Sequence, residues 1–165
     1  FSPSTRPCPK SCGMRAETAQ RAAPPMAGQV IRHSLMATPL AVREALGQLF
    51  HHPALQSFGP TTRDTAEIVL AEVLNNIVEH AYGGHGGHIT VQVEVLADRL
   101  LCQIHDGGRP MPGLELPQGQ LRRLRDDDLP EGGFGWHLIR SLARDLAYVR
   151  RQGLNTFSFR VDASQ

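Results

Sequence analysis

Lysine is nearly missing from this chain. Lys10 is the only one in 165 residues, although lysine and arginine together number 17. Two common ways of handling a nucleotide are thereby excluded. A Walker-type loop needs a lysine on the phosphates, and the eukaryote-like protein kinases need one on an early strand. Lys10 lies in a Pro- and Ser-rich stretch with no strand–loop–helix around it. Cysteine is also scarce: three residues, an odd number, argue against a disulfide scaffold. Cys8 and Cys12 have a metal pair's spacing, but no second pair accompanies them. The formal net charge is only +1, so no overall basic field points to nucleic acid. No apolar run approaches the roughly 20 residues of a membrane helix, and Phe1 to Gly28 has no signal-peptide core. A cytoplasmic location is the resulting expectation.

The residues present are those of an ordinary folded domain, 41% hydrophobic and 20% charged. Residues 1–27 read as a flexible leader and 28–165 as one domain. Gln29–Met36 has Ile31, His33 and Leu35 on one face, a strand pattern. Pro39–Phe50 has helical spacing. A second helix is expected from a cap at Thr61 or Thr62, with Asp64 in its first turn, to Tyr82, where Gly83-Gly84 stops it. His88–Leu96 and Leu100–His105 alternate as a hairpin, and Gly133–Leu146 returns to helical spacing. Strands are expected at about 147–151 and 156–161, around Gln152-Gly153. The order predicts an α+β two-layer sandwich, a mixed sheet with helices on one face. Between them, 106–131 is long and rich in Gly and Pro, as lids often are.

Three short patterns carry chemistry. Glu72 and Asn76 are four apart and share a helix face, so a carboxylate and an amide oxygen can serve one pocket. The carboxylate can take a proton, and a neutral oxygen suits magnesium. From these two residues alone, an ordinary polar helix face is the better account of the pair. Asp106-Gly107-Gly108 follows an apolar strand. It reads either as a strand-end turn or as a carboxylate for an exocyclic amine beside a backbone that a flat ring can approach. Gly133-Phe134-Gly135 opens a helix, either as a flexible start or as amides offered to phosphate. Arg122, Arg123 and Arg125 fit phosphate contacts or a solvated charge run. His80, His85 and His88 match no firm metal spacing.

In this order along one chain, the three patterns resemble the N, G1 and G2 boxes of the GHKL ATP-binding superfamily. Glu72 to Tyr82 and Gly132 to Leu142 are similar to its anti-sigma-factor serine/threonine kinases. The resemblance covers about 29–162. It implies ATP and Mg2+ as cofactors, Glu72 as catalytic base and Asn76 as magnesium ligand. It further implies Asp106 as adenine reader, Gly108 as a close ring contact and Gly133 and Gly135 as lid glycines. Thr156, in a late strand, is implied to support the adenine site. Pro110 stands where the superfamily often has another glycine. The implied partners are an anti-sigma-factor antagonist as phosphorylation substrate, a sigma factor, and a second copy in a homodimer. A nucleotide-gated partner switch with little or no catalysis is the alternative; a detached histidine-kinase catalytic part ranks behind both.

Overall fold

The computed structural model describes residues 28–119 and 134–164. Residues 1–27, with Cys8, Lys10 and Cys12, and the stretch 120–133, with Arg122, Arg123, Arg125 and Gly133, lie outside them. Strands β1 (Gln29–Met36), β2 (His88–Val95), β3 (Arg99–Asp106), β4 (Arg144–Arg151) and β5 (Leu154–Asp162) form one sheet in the order β1-β2-β3-β5-β4. Helices α1 (Pro39–Phe50), α2 (Pro60–Asn76) and α3 (Phe134–Leu142) pack together on one side of it. The two-layer α+β sandwich is as expected; the mixed sheet is not. Every neighbouring pair is antiparallel. Helices α1 and α2 connect β1 to β2, which pair antiparallel, and α3 precedes β4, which pairs with β5 and not with β3, so no parallel crossover is made.

Strand alternation divides the sheet into two faces. Ile89, Val91, Val93, Leu100, Cys102, Ile104, Phe157 and Phe159 are buried under the helices, where they meet Leu70, Leu74 and Ile139. Burial pushes the Cys102 thiol up to about 12, so this sulfur packs rather than reacts. Truncating a core leucine such as Leu70 to alanine costs about 2–5 kcal/mol at sites of this kind.

The helix ends explain how the functional loops are hung. Thr38 caps α1, its hydroxyl accepting from the Ala41 amide at 3.3 Å ahead of Pro39. Helix α2 starts at Pro60, ahead of both Thr61 and Thr62, with Gly59 as N-cap and no acidic residue in its first turn. Thr62 is instead buried, and its hydroxyl accepts from the Ser164 amide at 2.9 Å, tying the C-terminal end to α2. At its other end α2 widens into a π-helical turn, Ile77–Tyr82, which Gly83 ends in the left-handed conformation (φ 57°). Helix α3 stops at Leu142 rather than Leu146. Strand β4 begins at Arg144 with a register shift before Ala147, and Asp145 takes φ 51°. Leu146 has helical spacing from Leu142 but lies half-buried on the strand. No helix among the described residues is long and apolar enough to cross a membrane.

Candidate nucleotide site

Helix α2 and its π turn run beside the ends of β3 and β5, and a cavity of about 510 Å³ opens between them. That volume suits a ligand of nucleotide size. Asn76, Ile77 and Ala81 line the helix side, Asp106 and Asn155 the sheet side, and Trp136 of α3 one end. The wall is completed by Pro110, Met111 and Pro112, so a proline lines the cavity at the position expected to be glycine in much of the superfamily.

At one end Asp106 is buried, 5% exposed. Its Oδ1 accepts from the Gly108 amide at 2.9 Å and from Asn155 Nδ2 at 2.8 Å. Its other oxygen has no partner among the described residues. Gly108 is a glycine for a visible reason: a Cβ there would stand 2.8 Å from both the Cβ and the carbonyl oxygen of Ala81. The Arg109 amide donates to that same carbonyl at 2.8 Å. Gly108 therefore lets the loop close on the π turn, and its own close contact is with that backbone. Tyr82 adds a second tie, its hydroxyl donating to the His88 carbonyl at 2.8 Å and accepting from the Gly107 amide at 3.0 Å.

At the other end, Glu72 and Asn76 are half-buried one helical turn apart, whereas Asn75 is exposed. Gly135, at the start of α3, seats against both. A Cβ added to it would lie 2.5 Å from Glu72 Oε2 and 3.7 Å from Asn76 Nδ2. Asn76 Nδ2 is buried without a hydrogen-bond partner. An amide turned by 180° presents its oxygen to the same place, so the side chain fits a cation that takes few protein oxygens and completes its shell with phosphates and water. No group of three or more His, Cys, Asp and Glu side chains suited to a metal occurs among the described residues.

The fold thus brings Asn76 and Asp106 to one cavity, sets Glu72 and Gly135 against each other beside Asn76, and places Gly108 in the loop behind Asp106; Gly133 lies outside the described residues. Thr156 does not line the cavity. It pairs with His105 across β3 and β5, its Oγ1 3.0 Å from His105 Nδ1, on the sheet face turned away from the helices. Because side chains alternate along β5, the residue before it, Asn155, turns inward and meets Asp106. A readable signal existed: Asn155 shares its face with Phe157 and Phe159, and a polar residue in an apolar row demands partners. Trp136, the only tryptophan, meets Phe157 edge-on at 5.9 Å. Arg140 holds the approach to 120–133, donating from Nε to the Pro117 carbonyl at 2.6 Å and from Nη2 to the Leu116 carbonyl at 3.2 Å.

Residues 35–161 match the histidine kinase-like ATPase domain family. The chain is 31% identical over 122 residues to serine/threonine-protein kinase BtrW of Bordetella bronchiseptica, covering 73% of this chain and 85% of that protein. It is 31% identical over 91 residues to serine-protein kinase RsbW of Bacillus cereus, covering 53% of this chain and 57% of that protein. Among solved structures, histidine kinase AdeS of Acinetobacter baumannii aligns with 81% of this chain and 68% of its own, at TM-score 0.43 and 16% identity. A family match spanning both ends of the cavity, with a kinase relative matched over most of its length, agrees with the order of the three boxes: the chain belongs to the histidine kinase-like ATPase domain family, within the GHKL group.

Proposed function

We propose that this chain is an ATP-dependent serine/threonine protein kinase of the anti-sigma-factor type. It would move the γ-phosphoryl group of ATP to a Ser or Thr of an antagonist protein, and regulate transcription by binding a sigma factor. One observation carries the reading: Gly135, where the glycine box enters α3, seats against Glu72 and Asn76 beside the same cavity that Asp106 lines. Acid, amide and a small-residue flap are what a γ-phosphate needs around it; the buried carboxylate is what an adenine amine needs.

In this reading Glu72 orients the acceptor hydroxyl and takes its proton. The hydroxyl oxygen bonds to the γ-phosphorus as the bond to the β,γ-bridging oxygen breaks, and ADP leaves. Asn76 would supply the protein's oxygen to magnesium, which when bound neutralises charge on the phosphates. Gly135, with no side chain, leaves room for the phosphates beside Glu72, while Asp106 accepts from the base. Positioned proton transfer of this kind contributes about 10²–10⁴ in rate. The BtrW and RsbW relatives, both named as kinases of serine or of serine and threonine, support the choice of acceptor. A cytoplasmic homodimer completes the proposal, and light scattering on the purified chain checks the dimer.

The test supplies labelled ATP, magnesium and a candidate antagonist. Acid-stable phosphoserine or phosphothreonine is expected. Glu72→Gln should lower transfer by about 10²–10⁴ while ATP affinity stays within about threefold. Acid-labile phosphohistidine, or a stable complex with no label transferred, would overturn the kinase reading. Undiminished transfer by Glu72→Gln would remove that residue from its role.

A further inference from the structure

The hairpin of β4 and β5 contributes a polar cluster to the base end of the cavity that the three boxes do not contain. Asn155 is its hub and is 3% exposed. Its Nδ2 faces only acceptors: Asp106 Oδ1 at 2.8 Å, the Arg109 carbonyl at 3.1 Å and the Gly108 carbonyl at 3.4 Å. Its Oδ1 faces only donors, the Tyr148 hydroxyl at 2.7 Å and Arg150 Nη1. The two ends of this amide are therefore not interchangeable. The Tyr148 hydroxyl in turn accepts from the Met111 amide at 3.0 Å, and Arg150 Nη1 donates to the Gly108 carbonyl at 3.0 Å. Three of these hydrogen bonds run in one direction, from the Met111 amide to Tyr148, from Tyr148 to Asn155 and from Asn155 to the carboxylate of Asp106, and bonds so aligned strengthen one another.

From this geometry we infer that Asn155, held by Tyr148 and Arg150, is a positioning residue that sets purine selectivity. It fixes Asp106 with Oδ1 filled by two donors and the second oxygen left to accept from an exocyclic amine, and it pins the 108–111 wall against which the base lies. An acceptor-only carboxylate held rigidly favours a base carrying an amine. It disfavours one that presents a keto oxygen in the same place, since two acceptors then face each other unpaired. A carboxylate free to turn, or a loop free to move, loses that discrimination before it loses binding. The inference rests on the nucleotide site proposed above.

The experiment compares Mg2+-ATP with Mg2+-ITP, which carries a keto group in place of the adenine amine, in binding titrations. The wild-type chain should prefer ATP. Asn155→Ala should lower the ratio of the two affinities at least tenfold. Asn155→Thr, which restores a single donor toward Asp106 and suits a strand, should recover most of it. A residue that merely supported the fold would weaken both nucleotides alike and leave the ratio unchanged; that result would overturn the inference. Should Asn155→Ala not fold, Tyr148→Phe decides. Loss of the hydroxyl alone should lower the ratio severalfold, and an unchanged ratio again refutes the role. Failure of the wild type to bind ATP would sink the nucleotide site itself, and this inference with it. Binding of ATP with an unaltered ratio in the variants sinks the inference alone.

Discussion

The two ends of the cavity are built on opposite plans. At the Asp106 end, Asp106 and Asn155 are almost wholly buried, and the hydrogen bonds around them run to the backbone of three residues of one loop, Gly108, Arg109 and Met111, and to two further side chains. At the Asn76 end, the Glu72 side chain has no hydrogen bond or ion pair among the described residues, and Asn76 keeps a buried amide nitrogen with no partner. A buried polar group left unsatisfied costs about 1–3 kcal/mol, which a fold carries where a ligand will complete it. The Asp106 end is therefore satisfied within the folded chain, while the Asn76 end keeps a polar group open to a ligand.

Substitutions can break that contrast. Asp106→Ala should have the largest effect on the fold. It leaves the Gly108 amide and Asn155 Nδ2 without their acceptor, and should cost about 2–3 kcal/mol in denaturant unfolding besides ATP affinity. A loss below about 0.5 kcal/mol, the size of an ordinary surface change, would show that the Asp106 end is no more integral than the other. Gly135→Ala should do the reverse. Alanine favours a helix over glycine by up to about 1 kcal/mol, so stability should hold or rise. The added methyl stands 2.5 Å from Glu72 Oε2, and phosphoryl transfer should drop by more than about tenfold, roughly 1.4 kcal/mol of barrier. Asn76→Ala should leave the melting temperature level or higher. It should weaken magnesium-dependent ATP binding about tenfold or more, the size of one charge-assisted contact. A lower melting temperature with unchanged magnesium dependence would make Asn76 a structural residue. Thr156→Val should matter least, staying within about 0.5 kcal/mol in stability and about twofold in nucleotide affinity, because the side chain faces away from the cavity. A clear fall in ATP affinity there would revive the role the family resemblance implied for it.

Elements of regular period were legible in the chain itself. The limits expected for β1 and α1 coincide with those observed, because alternation and helical spacing report directly which side of an element is buried. Errors gathered at junctions, where local preference competes with long-range partners. Thr62 looks like a cap, yet its hydroxyl serves Ser164, 102 residues away. Leu146 has helical spacing from Leu142, yet the bulge that joins β4 to β5 takes it into the sheet. Thr156 lies off the cavity that its neighbour Asn155 lines, because in a strand one residue means the opposite face.

Residue types and their spacing were enough to exclude a lysine-dependent phosphate site, to set an acid and an amide on one helix face, and to put a carboxylate and glycines at the ends of elements. These are local properties, settled by helix pitch, strand alternation and the missing side chain of glycine. Which residues meet was decided by the folded chain alone. Gly135 closes on Glu72 from 63 positions away, and Asn155 reaches Asp106 across 49, because α2 packs against α3 and β5 pairs with β3. No local rule encodes such distant pairings: they exist only once burying the apolar faces has brought the sheet and helices together.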